Sequence, residues 1–398
     1  MRQYLRDGHA EVIKSRKESD SAQVMYYMPH KEVIREDATT TKLRIVFDAS
    51  SHAKGCRSLN ECLVTGPNLN PELLQVLLRF RWYSVAMTAD IEKAFLQIAI
   101  REDDRDACRF LWFAEEPSFP FNKEEIQEWR MTRVPFGSTS SPFMLTATIQ
   151  HHLKLVCEED PQLAEKLRTS FYVDDLLLGA DDIEDAVRLY HTTRNVMRQA
   201  GMTLRKWTAN NEQLHEQFNK EEPKFMTEEK SLSPSPISKV LGMMWDHEGD
   251  CFIYKVEALL EFLSANVDTK RFILKAASRV FDPLGLIAPF VLTAKLLFQK
   301  LWTLGISWDE ELPADLITEW HAWTADLVQL HSLSIPRHVK RGIQAGANQV
   351  QLHVFVDAST KAYGSCAYFR TADDQGKTAT MLVVAKTRVA PIKTFITA

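Results

Sequence analysis

The stretch FYVDDLLLGA, from Phe171 to Ala180, sets Asp174 and Asp175 side by side inside an otherwise apolar run. Its pattern reads as strand, tight turn, strand, with the paired carboxylates at the bend. Adjacent carboxylates with apolar flanks repel one another and resist desolvation unless a cation joins them. Aspartate is also an ordinary turn residue, so an isolated Asp-Asp pair is most often just an exposed bend. A third aspartate shifts the balance: Asp90 ends the apolar strand SVAMTAD. A strand-ending Asp brought beside an Asp pair at a turn forms a cradle of hard oxygen ligands, suited to magnesium rather than zinc. Two such ions, typically ~3.5 to 4 Å apart, activate an attacking hydroxyl and stabilise a leaving pyrophosphate during in-line displacement. That chemistry is nucleotidyl transfer.

Working outward from the bend, residues 21–50 alternate around Val33 to Ile34 and Leu43 to Phe47, which predicts a β-hairpin. NPELLQVLLRFR predicts a helix, ACRFLWFA and WRMTRVPFG two strands, and Ser140 to Val156 a helix with Pro142 in its first turn. After the bend, DDIEDAVRLYHTTRNVMRQAG predicts a helix capped by Asp181 or Asp182 and stopped at Gly201. VLGMMWD reads as a strand, the chain from about Lys255 to Leu333 as mostly helical, and VQLHVFVDAS as the first strand of a last α/β segment.

At 398 residues, with 45% hydrophobic and 25% charged residues, the chain has room for two to three cores. The charged amino terminus offers no signal peptide and no run is long enough to span a bilayer, so a cytoplasmic location is expected. Six scattered cysteines form no C-x-x-C pair, which predicts free thiols and no zinc site. A net charge of -5 gives no global attraction for nucleic acid, which leaves binding to local cationic surfaces.

TADIEKAFLQI, VPFGSTSSPFML, FYVDD and LRKW resemble, in order and separation, the palm motifs of reverse transcriptases. More narrowly, YYMPHKEVI, TKLRIVFDAS, SLNECLVTGPNL, LLRFR and ASRVFDPLGLIAPF resemble the polymerase region of BEL/Pao long-terminal-repeat retrotransposon polyproteins. The resemblance runs over nearly the whole chain. It implies an α+β right-hand polymerase, with fingers and palm over residues 1–255, a mostly helical thumb and connection over 256–345, and a truncated RNase H-like α/β segment over 346–398. It also implies RNA-directed DNA polymerase activity on an RNA or DNA template-primer, with deoxynucleoside triphosphates as substrates and two Mg2+ ions (or Mn2+) as cofactors. A second reading stays open, a decayed or co-opted nucleic-acid-binding fragment that keeps the fold without turnover.

Residue by residue, the resemblance makes Asp90, Asp174 and Asp175 the catalytic metal ligands, joined by the backbone carbonyl of Ile91. Phe95 matches the aromatic ring that excludes a ribose 2′-hydroxyl, and Arg44, with Lys42 on the same strand face, matches the triphosphate contact. Gly137 lies in the segment under the template and nucleotide, and Phe136 stands where a glutamine is familiar, which implies packing in place of a polar contact. Lys206 matches the lysine credited with protonating pyrophosphate. Tyr172 and Gly242 fall on template-primer positions, Gly242 in the hairpin that grips the growing end. Lys270, Arg271, Lys275, Arg279, Lys295 and Lys300 are spaced to follow a phosphate backbone, or else to form a solvated helix face. In the tail, Asp357 matches the first RNase H carboxylate, but only Asp373 and Asp374 follow it and no glutamate does, so RNase H activity is not expected from what looks like a truncated segment. The Asp-Thr/Ser-Gly triplet of an aspartic peptidase is absent.

Overall fold

The computed structural model describes residues 1–13, 24–34, 43–115, 125–221, 236–265, 267–341, 350–372 and 378–392. Helices and sheets are mixed along the chain, as the alternating periodicities predict. The strands bearing the three aspartates belong to one four-stranded sheet, in the order Phe171–Tyr172, Asp175–Ala180, Val85–Ile91, Leu204–Ala209. Val85–Ile91 is buried along most of its length, which explains why its sequence is almost continuously apolar up to Asp90.

The chain divides into two compact units that interleave along the sequence. The first comprises Met1–Pro71, Asp90–Leu176 and His191–Arg205. In it, His30–Ile34 pairs antiparallel with Leu43–Phe47, the hairpin read from alternation. A three-stranded sheet of Ala10–Val12, Ile126–Met131 and Arg109–Phe113 packs Met28, Phe47, Phe110 and Trp129 into one core. Beneath that sheet Asp106, almost fully buried, accepts from Arg109 at 2.9 Å and from Arg130 at 3.1 Å. Burial alone would raise the Asp106 pKa, but the two guanidiniums outweigh it and hold the carboxyl below its usual range. The Ser141–Glu159 helix carries Pro142 in its first turn as expected and runs slightly beyond Val156.

The second unit comprises Glu72–Ala89, Leu177–Tyr190 and Lys206–Ala398. VLGMMWD, read as one strand from its pattern, is split as the hairpin implied by the resemblance at Gly242: Ile237–Val240 and Met243–Asp246 pair antiparallel about Leu241 and Gly242. Both turn residues have positive φ, 46° and 93°, as a two-residue primed turn requires, and the strand-forming residues around them masked the bend. The helices Glu257–Leu263, Lys270–Ala277, Ala288–Thr303 and Ala314–Leu327 bury an apolar cluster centred on Ile273, Leu301, Trp320 and Trp323. Val350–Ala358, Ala362–Ala372 and Thr378–Val389 form an antiparallel sheet.

Two buried arginines knit distant segments of this unit. Arg337 donates to Asp250 at 2.6 Å and to the Tyr83 carbonyl at 2.9 Å, and Arg81 donates to the carbonyls of Arg337 and Leu382 at 3.0 and 2.9 Å. The neighbouring His338 has its pKa pushed down to about 4, first by burial and then by the positive charges of Arg337 and Lys340. All six cysteines are free. Among the described residues no helix is long and apolar enough to cross a membrane.

Candidate active site

The paired aspartates sit at a two-residue bend. Phe171 stands opposite Leu176 and Tyr172 opposite Asp175, so Val173 and Asp174 form the turn itself. Val173 has φ 58°, a left-handed conformation that a β-branched residue resists by about 1–2 kcal/mol. Its N–H donates to Oδ1 of Asn70 at 3.2 Å.

Asp90 reaches this turn through the backbone. The N–H of Ile91 donates to the Asp174 carbonyl at 2.9 Å, which sets the Asp90 strand end against the hairpin. Asp90, Asp174 and Asp175 are all half-buried, and Ile91 is fully buried. Glu92 continues the alignment, its N–H donating to the Thr203 carbonyl at 2.8 Å and its carboxylate pairing with Arg205 at 2.7 Å. Among the described residues, no three His, Cys, Asp or Glu side chains are drawn together into a metal cage. What the hydrogen bond from Ile91 brings together is therefore backbone, the Asp90 strand end and the Asp174–Asp175 turn. The donor set is chemically uniform, carboxylate and carbonyl oxygens with no sulfur or imidazole, and such hard ligands fit magnesium.

Beside this strand end, Phe95 lies in a short 3-10 turn, Ala94–Gln97, and meets Phe136 edge to face with ring centroids 5.0 Å apart. Phe136 is 39% exposed, large for a phenylalanine and open to a ligand. The turn that follows is fixed closely. Gly137 has φ 100°, and a Cβ there would lie 2.4 Å from the Phe47 carbonyl oxygen, so only glycine fits. Asn60 clamps the same turn: its Nδ2 donates to the Gly137 carbonyl at 3.0 Å and its Oδ1 accepts from the Thr139 N–H at 2.9 Å. Arg44 stands exposed on the Leu43–Phe47 strand whose end Gly137 touches. The sequence singled out neither Asn60, in the short helix Leu59–Cys62, nor Asn70, because their partners lie far along the chain.

Other expected residues fall elsewhere. Lys42 lies outside the described residues, as do Asp373 and Asp374. Lys206 is exposed on Leu204–Ala209 with φ 56°, and the adjacent Trp207 is buried against Tyr190 at 4.8 Å. Gly242 occupies its hairpin turn with the Phe281 ring 2.6 Å from where a Cβ would sit. Asp357 is exposed on Val350–Ala358, opposite Gly364, and lines an open depression with Lys386 and Arg388. Four of the six helical cations are engaged within the protein. Lys270 is buried, with its Nζ 3.6 Å from the Trp302 ring centroid, Arg271 pairs with Asp309, Lys300 pairs with Glu319, and Arg279 lies over Phe262. Lys275 and Lys295 are exposed.

The fold is similar to that of retroviral reverse transcriptases. Three solved structures of the foamy viral protease-reverse transcriptase match at 16% identity: a dRH form with double-stranded DNA (TM-score 0.58), one with an RNA/DNA hybrid (0.54) and one with double-stranded DNA (0.55). They cover 97%, 98% and 98% of this chain, which spans 54%, 42% and 64% of theirs. Residues 40–208 match the family model for reverse transcriptase (RNA-dependent DNA polymerase), and residues 269–398 match that for the Pao retrotransposon-like RNaseH-like domain. The chain is thus similar to a reverse transcriptase over residues 40–208 and to a Pao retrotransposon-like RNaseH-like domain over residues 269–398, and reverse transcriptases as a family generally use divalent metals. No curated protein is similar enough to match it.

Proposed function

We propose that the chain is an RNA-directed DNA polymerase that extends a primer 3′-hydroxyl with deoxynucleoside triphosphates on a nucleic-acid template. The observation that carries the reading is the hydrogen bond from Ile91 to the Asp174 carbonyl, which sets the Asp90 strand end against the Asp174–Asp175 turn inside the region that matches the reverse transcriptase family. Asp90, Asp174, Asp175 and the Ile91 carbonyl would hold two magnesium ions. When bound, such ions supply a lowered hydroxyl pKa and charge stabilisation for a leaving pyrophosphate.

The chain's own residues do the rest by position. Phe95, backed edge-on by Phe136, offers a flat apolar surface to the deoxyribose and no room for a 2′-hydroxyl. Arg44 and Lys42 neutralise triphosphate oxygens, and Lys206 donates a proton to the departing pyrophosphate. Tyr172 and the Gly242 hairpin hold the primer end. We assign residues 1–255 to fingers and palm, 256–345 to thumb and connection, and 346–398 to the RNase H-like segment. Double-stranded DNA and RNA/DNA hybrid are bound by the foamy viral neighbours, which supports the same classes of template-primer here.

Primer extension on a heteropolymeric RNA template tests this reading. Magnesium-dependent products complementary to the template, made from deoxynucleotides in preference to ribonucleotides, are expected. Binding of the template-primer with no extension would leave the fold as a nucleic-acid-binding module and overturn the enzymatic reading.

A further inference from the structure

The turn that carries Asp174 poses a conformational problem its own strands do not solve. Val173 is held at φ 58°, where a β-branched side chain is disfavoured. In a two-residue hairpin the N–H of the first loop residue also points away from the strand ladder and must find a partner elsewhere. Here the partner is Oδ1 of Asn70, far back in the sequence.

Asn70 is itself anchored. The Thr146 hydroxyl, buried on the Ser141–Glu159 helix, lies 2.9 Å from Asn70 Oδ1 and 3.0 Å from the Pro142 carbonyl, with one proton to share between them. Gln150 of the same helix donates to the Leu69 carbonyl at 3.0 Å. Gly66 presses so closely on Phe143 that a Cβ would lie 2.4 Å from the ring. Asn70 N–H also donates to Asn68 Oδ1 at 3.1 Å, which rigidifies the loop from within. Phe143, Thr146 and Gln150 follow one helix face, so residues 66–70 are tied along it at three points. A carbonyl oxygen with two lone pairs then serves both the anchor and the turn.

We propose that Asn70 is a positioning residue for nucleotidyl transfer: its amide oxygen, fixed on the Ser141–Glu159 helix, holds Val173 in its left-handed conformation and so keeps Asp174 and Asp175 presented against the Asp90 strand end. The proposal rests on the polymerase reading above. Asn70 touches neither substrate nor reacting atoms and acts through the turn alone.

The test has two arms. In steady-state extension, Asn70→Ala lowers kcat about tenfold with the nucleotide KM little changed, the effect of one lost hydrogen bond. Adding Val173→Gly restores most of that loss, because glycine adopts a positive φ without strain; a merely structural asparagine would gain nothing from it. In the second arm, amide exchange is followed at Val173 in a valine-labelled chain without metal or substrate. Exchange about tenfold faster in Asn70→Ala supports the clamp. Should that variant fail to fold, Thr146→Val loosens the anchor and must also speed Val173 exchange. Unchanged exchange in the folded variant, wild-type kcat in Asn70→Ala, or no rescue by Val173→Gly would each overturn the proposal. A wild-type chain that extends no primer would refute the polymerase reading, and Val173 exchange would still judge the clamp.

Discussion

At the scale of single residues, function leans on backbone positions that the side chain alone would not choose. Val173 at φ 58° and Gly137 at φ 100° both sit in turns that bear expected site residues. The Gly137 turn is the stricter of the two, since a Cβ there collides with the main-chain oxygen of Phe47, which has nowhere to go. Gly137→Ala is expected to destabilise the chain by roughly 2–3 kcal/mol, read as a lower chemical-denaturation midpoint at constant m-value. The Phe95–Phe136 contact carries a different expectation. If Phe95 faces the sugar as proposed, Phe95→Val removes that ring, so ribonucleotide incorporation should rise about tenfold or more relative to deoxynucleotide, with stability changed far less than discrimination. A variant that loses stability while its nucleotide preference stays put would return Phe95 to an ordinary core role.

At the scale of elements, buried charge decides more than surface charge. Asp106 under the Arg109–Phe113 and Ile126–Met131 strands serves two arginines, one of them with a side chain only 1% exposed. Asp106→Ala would leave Arg109 with Glu128 and Arg130 with Glu11 as carboxylate partners, and cost about 1–3 kcal/mol. Because the native Asp106 pKa lies below its unfolded value, its contribution is complete above about pH 4 and is lost as pH falls through the native value. His338 works in an adjacent window. Its native pKa of about 4 lies below the unfolded value of about 6.5, so the unfolded chain takes up the proton first and stability falls as pH drops from about 6.5 towards 4. Replacing His338 with Asn should flatten the pH dependence of unfolding in that interval, and an unchanged profile would contradict the assignment. This is also the scale at which the sequence spoke best. Alternation disclosed the His30–Ile34 and Leu43–Phe47 hairpin, and the apolar run ending at Asp90 disclosed a buried strand. By strand pattern it missed the Leu241–Gly242 bend, where β-formers crowd a tight turn, though the resemblance placed Gly242 in a hairpin. It named the three aspartates, yet it was silent on Asn60 and Asn70, because a long-range hydrogen bond leaves no period in the chain. Of the six helical cations only Lys270 departs from both a phosphate-following and a solvated face, because spacing does not show that it turns inward onto Trp302.

At the scale of the whole molecule, the proposed function asks a chain of net charge -5 to hold a polyanion, which only local cations can do. With Lys270 buried and Arg271 and Lys300 held in surface ion pairs, exposed Lys275 and Lys295 are the helical contacts with no ion pair to break. Changing either to Gln should lower template-primer affinity alike for all sequences and reduce the salt slope by about one. Unaltered slopes would assign those lysines to a solvated face. The most direct test of the central claim compares templated deoxynucleotide incorporation by the wild type, Asp90→Asn, Asp174→Asn and a control at an aspartate outside the expected metal ligands, Asp309→Asn, all checked for equal folding. The account expects incorporation to fall by about a hundredfold or more in the first two variants and to persist in the control. Incorporation by Asp90→Asn or Asp174→Asn at the wild-type rate would contradict it.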